Sequence, residues 1–222
     1  MTWSRRRGPC SIAEPQGALR DRDLVRLYWP DALRPAFDAL FELDDALGHV
    51  VATSTQPALG AIRLAWWRDA LERLDTSAPP AEPRLEQAAG ALLPLGVKGA
   101  DLATIAEGWA ALFDEVRDAR AIGRRGEALF AVGATLLGGG DPALATAGRW
   151  FALGDVARHG LAPVLELPAG RLRFARALRP LTALAQLGVR DLRRGEPFEP
   201  EATPGRALSL FRHRWSGFVG SD

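Results

Sequence analysis

Three side chains in this sequence have types and spacing that could do chemistry together. Asp155 and His159 are four residues apart, which places them on one face of a helix, and Asp44 belongs to a second helical segment. A carboxylate and an imidazole that converge would suit a transition-metal ion. The alternative is structural: Asp44 pairs with a neighbouring arginine, and His159 is a satisfied core or rim histidine. Of the two, we favour the structural interpretation.

The segment IRLAWWRDAL contains further candidates for binding. Arg63, Arg68 and Asp69 could touch a phosphate or a partner, because arginine suits bidentate contact with an anion. An ion pair between helices is the commoner outcome for such residues. The adjacent Trp66 and Trp67 could line a channel for a hydrocarbon chain, but core packing is the favoured interpretation.

A basic strip follows LELPAG and could rest on anionic lipid, although a solvated face is favoured. The strip consists of Arg171, Arg173, Arg176 and Arg179. The remaining polar candidates are not expected to take part in binding or catalysis. We expect surface positions for Asp45 and His213 and a structural role for His49.

Composition excludes several classes of protein. The net charge is +1, from 28 basic and 27 acidic residues, so no overall field attracts nucleic acid. Cys10 is the single cysteine, which excludes an internal disulfide and fits a reducing compartment. No apolar run reaches the roughly 18 residues that span a bilayer. We therefore expect a cytoplasmic protein, with peripheral contact at the inner membrane left open. The sequence contains no P-loop, dinucleotide fingerprint, cysteine–histidine metal spacing or nucleophile elbow.

Hydrophobic spacing predicts an all-α protein with one domain over residues 18–222, after a disordered extension over residues 1–17. The segment that begins near Thr55 is apolar nearly all round, which predicts a central helix. Thr55 is its predicted N-cap. The approximate helical ranges are 31–53, 55–74, 85–93, 101–120, 126–137, 142–160, 176–194 and 204–215.

Several of these segments resemble the squalene/phytoene synthase family. The most specific are LYWPDALRPAFDALFELD, PALGAIRLAWWRDALERL and GRWFALGDVARH, with weaker support from IAEGW and RRGEALFAVGATLLG. The likeness runs roughly from residue 18 to residue 194 and is strongest to a divergent branch that includes a mitochondrial complex I assembly factor. It implies a single-domain helical bundle of the isoprenoid (trans-prenyl diphosphate) synthase type around a central cavity.

The resemblance also implies two acidic clusters that bind magnesium and clamp a diphosphate. This sequence departs from that pattern. The first cluster falls on Gly48, His49 and Ala52, and the aspartates of the second fall on His159 and Pro163. Asp155 alone keeps an oxygen ligand, at the position of the family's asparagine. No metal or cofactor is therefore expected, and no catalytic residue is assigned.

The resemblance, with its vacated metal positions, predicts a catalytically degenerate protein. Its role would be to bind an isoprenoid lipid or to escort a membrane respiratory subunit during assembly. The alternative is an active, magnesium-dependent prenyltransferase of isoprenoid biosynthesis, and a third possibility is new chemistry at Asp44, Asp155 and His159. The polar residues expected in the cavity are Asp44, Asp155, Arg158, His159 and Arg63.

Overall fold

Nine α-helices and one small two-stranded sheet account for most of residues 19–220, the part of the chain that the computed structural model describes. The predicted extension over residues 1–17 lies outside the described residues. The helices are α1 (Asp21–Arg26), α2 (Arg34–Thr53), α3 (Pro57–Arg73), α4 (Pro83–Ala91), α5 (Gly99–Ala110), α6 (Ala119–Leu136), α7 (Leu144–Arg158), α8 (Arg179–Arg194) and α9 (Pro204–Ser216). The strands are β1 (Arg171–Arg173) and β2 (Phe218–Gly220). The predicted all-α class is confirmed at this level.

Helix α7 lies between α6 and α8, and glycines let the three backbones approach closely. A Cβ atom at Gly126 of α6 would lie 1.9 Å from the carbonyl oxygen of Gly148 in α7. Likewise, a Cβ at Gly154 would lie 2.7 Å from the Cα of Gly188 in α8. These contacts fix the central layer, which carries the polar residues of the site described below.

The prediction that the segment after Thr55 is central is wrong. In α3, Leu64, Trp67 and Leu71 are buried, and the helix packs mainly against α5. Its second apolar stripe faces outward instead. Leu59, Ile62 and Trp66 are 53%, 64% and 47% exposed. Apolar residues all round a helix predict burial only where another layer exists to cover the second face.

Several helix boundaries differ from the predicted ones. Helix α5 ends at Ala110, followed by a 3₁₀ turn to Phe113, so the helix predicted over residues 101–120 is interrupted. Asp118 starts α6 because its carboxylate accepts hydrogen bonds from the backbone N–H groups of Arg120 and Ala121. Gln56, and not Thr55, is the N-cap of α3, with Pro57 in the first turn.

Two elements were missed by the sequence analysis. Helix α1 is short, and β1 and β2 pair antiparallel with Leu172 opposite Val219. This two-stranded sheet joins the segment after α7 to the segment that follows α9. None of the described helices is long and apolar enough to cross a membrane.

The glycine contact between α6 and α7 can be tested by substitution. Gly126→Ala forces a methyl group against the carbonyl of Gly148, so we expect a loss of about 1–3 kcal/mol in the free energy of unfolding. Gly90→Ala is the matched control, because Gly90 is helical and exposed and has nothing within 4 Å of an added Cβ. That change should stabilise the protein by roughly 0.5–1 kcal/mol. Urea unfolding of both variants gives the comparison, and equal effects would contradict the packing described.

Candidate functional site

The centre of the site is a buried ion pair between α2 and α6. Asp44 is fully buried and Arg125 is 2% exposed. The guanidinium donates two hydrogen bonds to the carboxylate, from Nε to Oδ1 at 2.8 Å and from Nη2 to Oδ2 at 2.5 Å. Trp109 of α5 donates from Nε1 to the same Oδ1 at 2.8 Å. The carboxylate of Asp44 is thereby saturated with donors from two other helices.

Asp155 brings α7 into the same cluster. Its Oδ2 lies 2.7 Å from Arg125 Nη1, an ion-pair contact in which Nη1 is not aligned for a hydrogen bond. The imidazole of His159, just after α7, lies with Nδ1 3.3 Å from Asp155 Oδ1. The guanidinium of Arg125 therefore lies between the carboxylates of Asp44 and Asp155, and His159 contacts the carboxylate of Asp155.

Small residues make this arrangement possible. A Cβ at Gly108 of α5 would lie 2.4 Å from the backbone nitrogen of Arg125, so only glycine allows α5 and α6 to approach here. A Cβ at Gly48 of α2 would lie 2.8 Å from the ring of Trp109. The indole fills the space beside Gly48 and stacks under Arg125, whose central carbon lies 3.9 Å from the ring centroid.

Electrostatics hold the cluster in its charged form. Burial alone would lower the pKa of Arg125, but the charges of Asp44 and Asp155 outweigh it, and the pKa is raised. Burial would raise the pKa of Asp155, yet Arg125 and His159 hold it well below its usual value. The hydrogen bond and the charge of Asp155 raise the pKa of His159 to about 9. His159 is therefore protonated at neutral pH.

A second ion cluster ties α1, α7, α8 and α9 together. Arg206 is 1% exposed and donates from Nε to Asp21 Oδ2 at 2.7 Å and from Nη1 to Asp191 Oδ1 at 2.5 Å. Arg158 makes two further bonds to Asp191, at 2.9 and 2.8 Å. Burial opposes the charge of Arg206, but its bonds to Asp191 and Asp21 raise its pKa.

Between the two clusters lies a cavity of about 520 Å³. Its polar wall includes Asp155, Arg158 and His159 together with Arg125. The apolar wall is formed by Trp109, Phe151, Leu161, Leu184 and Leu187. The lining therefore combines charged and hydrocarbon groups, a mixture that suits an amphipathic ligand.

The structure places most of the predicted cavity residues at this site. Asp155, Arg158 and His159 line it, and Asp44 lies directly behind Arg125. Arg63 is exposed on α3 and is not among the lining residues, because α3 turns Leu64 and Trp67 inward. Of the positions expected to have lost metal ligands, Gly48, His49, Ala52 and His159 line the cavity, whereas Pro163 is exposed outside it.

Other residues singled out from the sequence lie apart from the cavity or only at its rim. Asp45 is a surface residue that pairs with Arg22 at 2.6 Å. Arg68 pairs with Asp69 on the same helix, and not between helices. Trp66 and Trp67 meet edge to face at 5.4 Å, away from the lining residues.

The prediction of a surface position for His213 is wrong. The inner face of α9 buries it to 2% exposure, and its Nδ1 lies 2.8 Å from the carbonyl oxygen of Phe218. Arg179 also departs from the predicted solvated strip, since it is half-buried and donates to the carbonyl oxygens of Arg214 and Trp215. Arg171, Arg173 and Arg176 are exposed, as a solvated strip requires.

Sequence reasoning missed Arg125, Trp109, Arg206, Asp21 and Asp191. Asp44 lies among apolar residues of α2, and a buried carboxylate requires a partner. The sequence therefore predicted that Asp44 has an arginine partner, and the structure contains one. The sequence did not identify which arginine it is. Arg125 is 81 positions away in the sequence.

The donor set does not fit a magnesium ion of the kind that the resemblance implies. Magnesium needs several free oxygen ligands in near-octahedral geometry. Asp44 and Asp155 are already bound to Arg125 and Asp45 is paired with Arg22, whereas Gly48 and Ala52 offer no oxygen ligand. Among residues 19–220, no three His, Cys, Asp or Glu side chains are grouped so that they could hold a metal ion.

Comparisons with models of protein families, with curated proteins and with solved structures found no match to this chain. The interpretation of the site therefore depends on its own geometry and on the sequence resemblance described above.

The central ion pair should be visible in stability. Asp44→Asn leaves a buried guanidinium short of one charge, so we expect a loss of about 3–5 kcal/mol in the free energy of unfolding. Asp45→Asn is the neighbouring control, since it removes a half-exposed ion pair that contributes at most about 1 kcal/mol. Chemical denaturation followed by circular dichroism measures both. Similar losses in the two variants would show that Asp44 is not buried against Arg125.

The contact between Asp155 and His159 predicts a pH dependence. The folded pKa of about 9 lies above the ordinary value of 6.5, so the proton on His159 stabilises the folded state. This contribution is fully present below pH 6.5 and is lost as the pH rises through about 9. In an NMR titration, the imidazole of His159 should titrate near pH 9, and Asp155→Asn should return it toward 6.5. His159→Asn identifies the resonance, and a wild-type midpoint near 6.5 would contradict the contact.

Proposed function

We propose that this protein binds a neutral prenyl-type lipid in the cavity without a divalent metal ion. The single observation that carries the proposal is the guanidinium of Arg125, held between Asp44 and Asp155. It occupies the carboxylates of α2 and α7 with a cation that belongs to the chain itself. A metal-dependent reaction would need those oxygens free.

The charges around the cavity favour an uncharged headgroup. Cations and anions are balanced among the lining side chains, apart from the protonated His159 and the buried Asp44 behind the wall. The lining cations are Arg20, Arg22, Arg125, Arg158 and Arg206, and the lining anions are Asp21, Asp45, Asp155, Asp191 and Glu201. A diphosphate would need cations that are not already paired. An alcohol or quinone-type headgroup needs only hydrogen-bond partners.

The size and the hydrocarbon wall of the cavity suit a branched apolar chain. A volume of about 520 Å³ lies within the usual range of roughly 300–1,000 Å³ for small-molecule sites. Burying such a chain against Phe151, Leu184 and Leu187 supplies about 25 cal/mol for each Å² removed from water. The prenyl class itself is supported by the likeness of the α2, α3 and α7 segments to squalene and phytoene synthases. The active prenyltransferase and the escort of a respiratory subunit stay predictions, as does peripheral membrane location.

Binding of geranylgeraniol and of geranylgeranyl diphosphate tests the proposal. We expect geranylgeraniol to bind with the same affinity in EDTA and in magnesium, because no metal is required. The diphosphate should bind at least about tenfold more weakly, and no pyrophosphate should be released. Titration calorimetry gives the affinities, and a pyrophosphate assay measures turnover.

Two variants make this test specific. Ala52→Trp places an indole at a position that lines the cavity and should weaken binding of geranylgeraniol about tenfold or more. Ala65→Trp, on the exposed side of α3, should leave binding unchanged. Magnesium-dependent binding of the diphosphate, or pyrophosphate release that is lost in Asp155→Asn, would contradict the proposal and favour the prenyltransferase.

A further inference from the structure

The outer face of α9 exposes large apolar side chains in a single stripe. Leu208, Phe211 and Trp215 are 48%, 59% and 83% exposed. At 100° for each residue they fall within an arc of about 60° on the helix. We call these three residues the α9 stripe. An amphipathic helix that keeps such residues in water is unusual unless they meet a partner surface.

Arginines flank the α9 stripe on both sides. Arg212 and Arg214 are exposed and lie roughly 70–90° from the centre of the stripe, one on each side. Helix α9 contains no acidic residue. Trp and Phe on one face with Arg at its borders are typical of helices that lie in the interface of an anionic bilayer.

Further positive charge lies near the C-terminal end of α9. The segment from Arg171 to Arg179 packs here, since Phe174 donates its N–H to Gly217 and Arg179 donates to the carbonyl oxygens of Arg214 and Trp215. Within this segment Arg173 and Arg176 are exposed, and there is no acidic residue.

The stripe is held rigidly in its outward orientation. The opposite face of α9 is buried through Leu210, His213 and Arg206, and the last of these is bound to Asp21 and Asp191. The helix cannot rotate to hide Trp215 without breaking this ion cluster. The apolar stripe and its arginines are therefore preorganised as one surface.

We propose that the α9 stripe and its flanking arginines dock the protein on the surface of an anionic lipid bilayer. The positive charge beside the α9 stripe is the reason for proposing an anionic bilayer as its partner. The other exposed apolar stripe, on α3, shares its helix with Asp69 and Glu72 as well as with arginines, so that surface has mixed charge. Around the α9 stripe every charged residue of α9 and of segment 171–179 is an arginine. This complements lipid headgroups that carry negative charge. The inference is independent of what the cavity binds.

Co-sedimentation of the full chain with vesicles tests the docking surface. We expect binding to vesicles of equal parts phosphatidylcholine and phosphatidylserine, and little binding to phosphatidylcholine alone. The double variant Phe211→Ser, Trp215→Ser should weaken binding about tenfold or more. Arg212→Gln with Arg214→Gln should weaken it by about fivefold for each arginine and reduce its dependence on phosphatidylserine.

Ile62→Ser with Trp66→Ser on α3 is the matched control, because these two residues are 64% and 47% exposed and belong to the stripe of mixed charge. It should leave vesicle binding unchanged. All substitutions are at exposed positions, so thermal melting should be unchanged and a loss of binding cannot come from unfolding. Binding that is absent, or that is equal in wild type and the α9 variants, overturns the proposal. Self-association without lipid that the α9 double variant abolishes also overturns it, since the stripe is then a contact between copies.

Discussion

The buried guanidinium of Arg125 is the interaction on which the other features of the site depend. It links α2, α6 and α7 and is covered by the indole of Trp109 from α5. Removing these charges from water costs several kcal/mol for each ion, and the cost is offset only when every partner is in place. The four helices must therefore assemble together, and their assembly fixes the charged wall of the cavity.

The same interaction explains why carboxylates are missing where the family resemblance would place them. Gly48 has a packing role of its own. Its lack of a side chain makes room for Trp109, which in turn donates a hydrogen bond to Asp44. The side chain of an aspartate at position 48 would clash with the indole of Trp109. The glycine, the tryptophan and the ion pair therefore depend on one another, and a Gly48→Asp substitution alone would not create a metal site.

The sequence predicted what depends on local periodicity and missed what depends on distant partners. Helices α2, α8 and α9 were placed within a few residues, because their apolar spacing and their prolines are local signals. The two-stranded sheet was missed because its three-residue strands show no alternation and lie far apart in the sequence. For α3 the pattern showed two apolar faces but could not show that only one would be covered. For the site, the chemistry of Asp44 indicated an arginine partner, whereas its identity required the tertiary fold.

The bond between Arg206 and Asp21 joins residues that are 185 positions apart in the chain. A contact of this span closes a long loop, and the entropic cost of closure is offset by the packing of the helices that lie between the two residues. It also contributes to one wall of the cavity. The pairing of α1 with α9 therefore joins the two ends of the described chain. Separating these helices would break the Arg206 ion cluster, so the α1 side of the cavity and the orientation of the α9 stripe depend on the same contact.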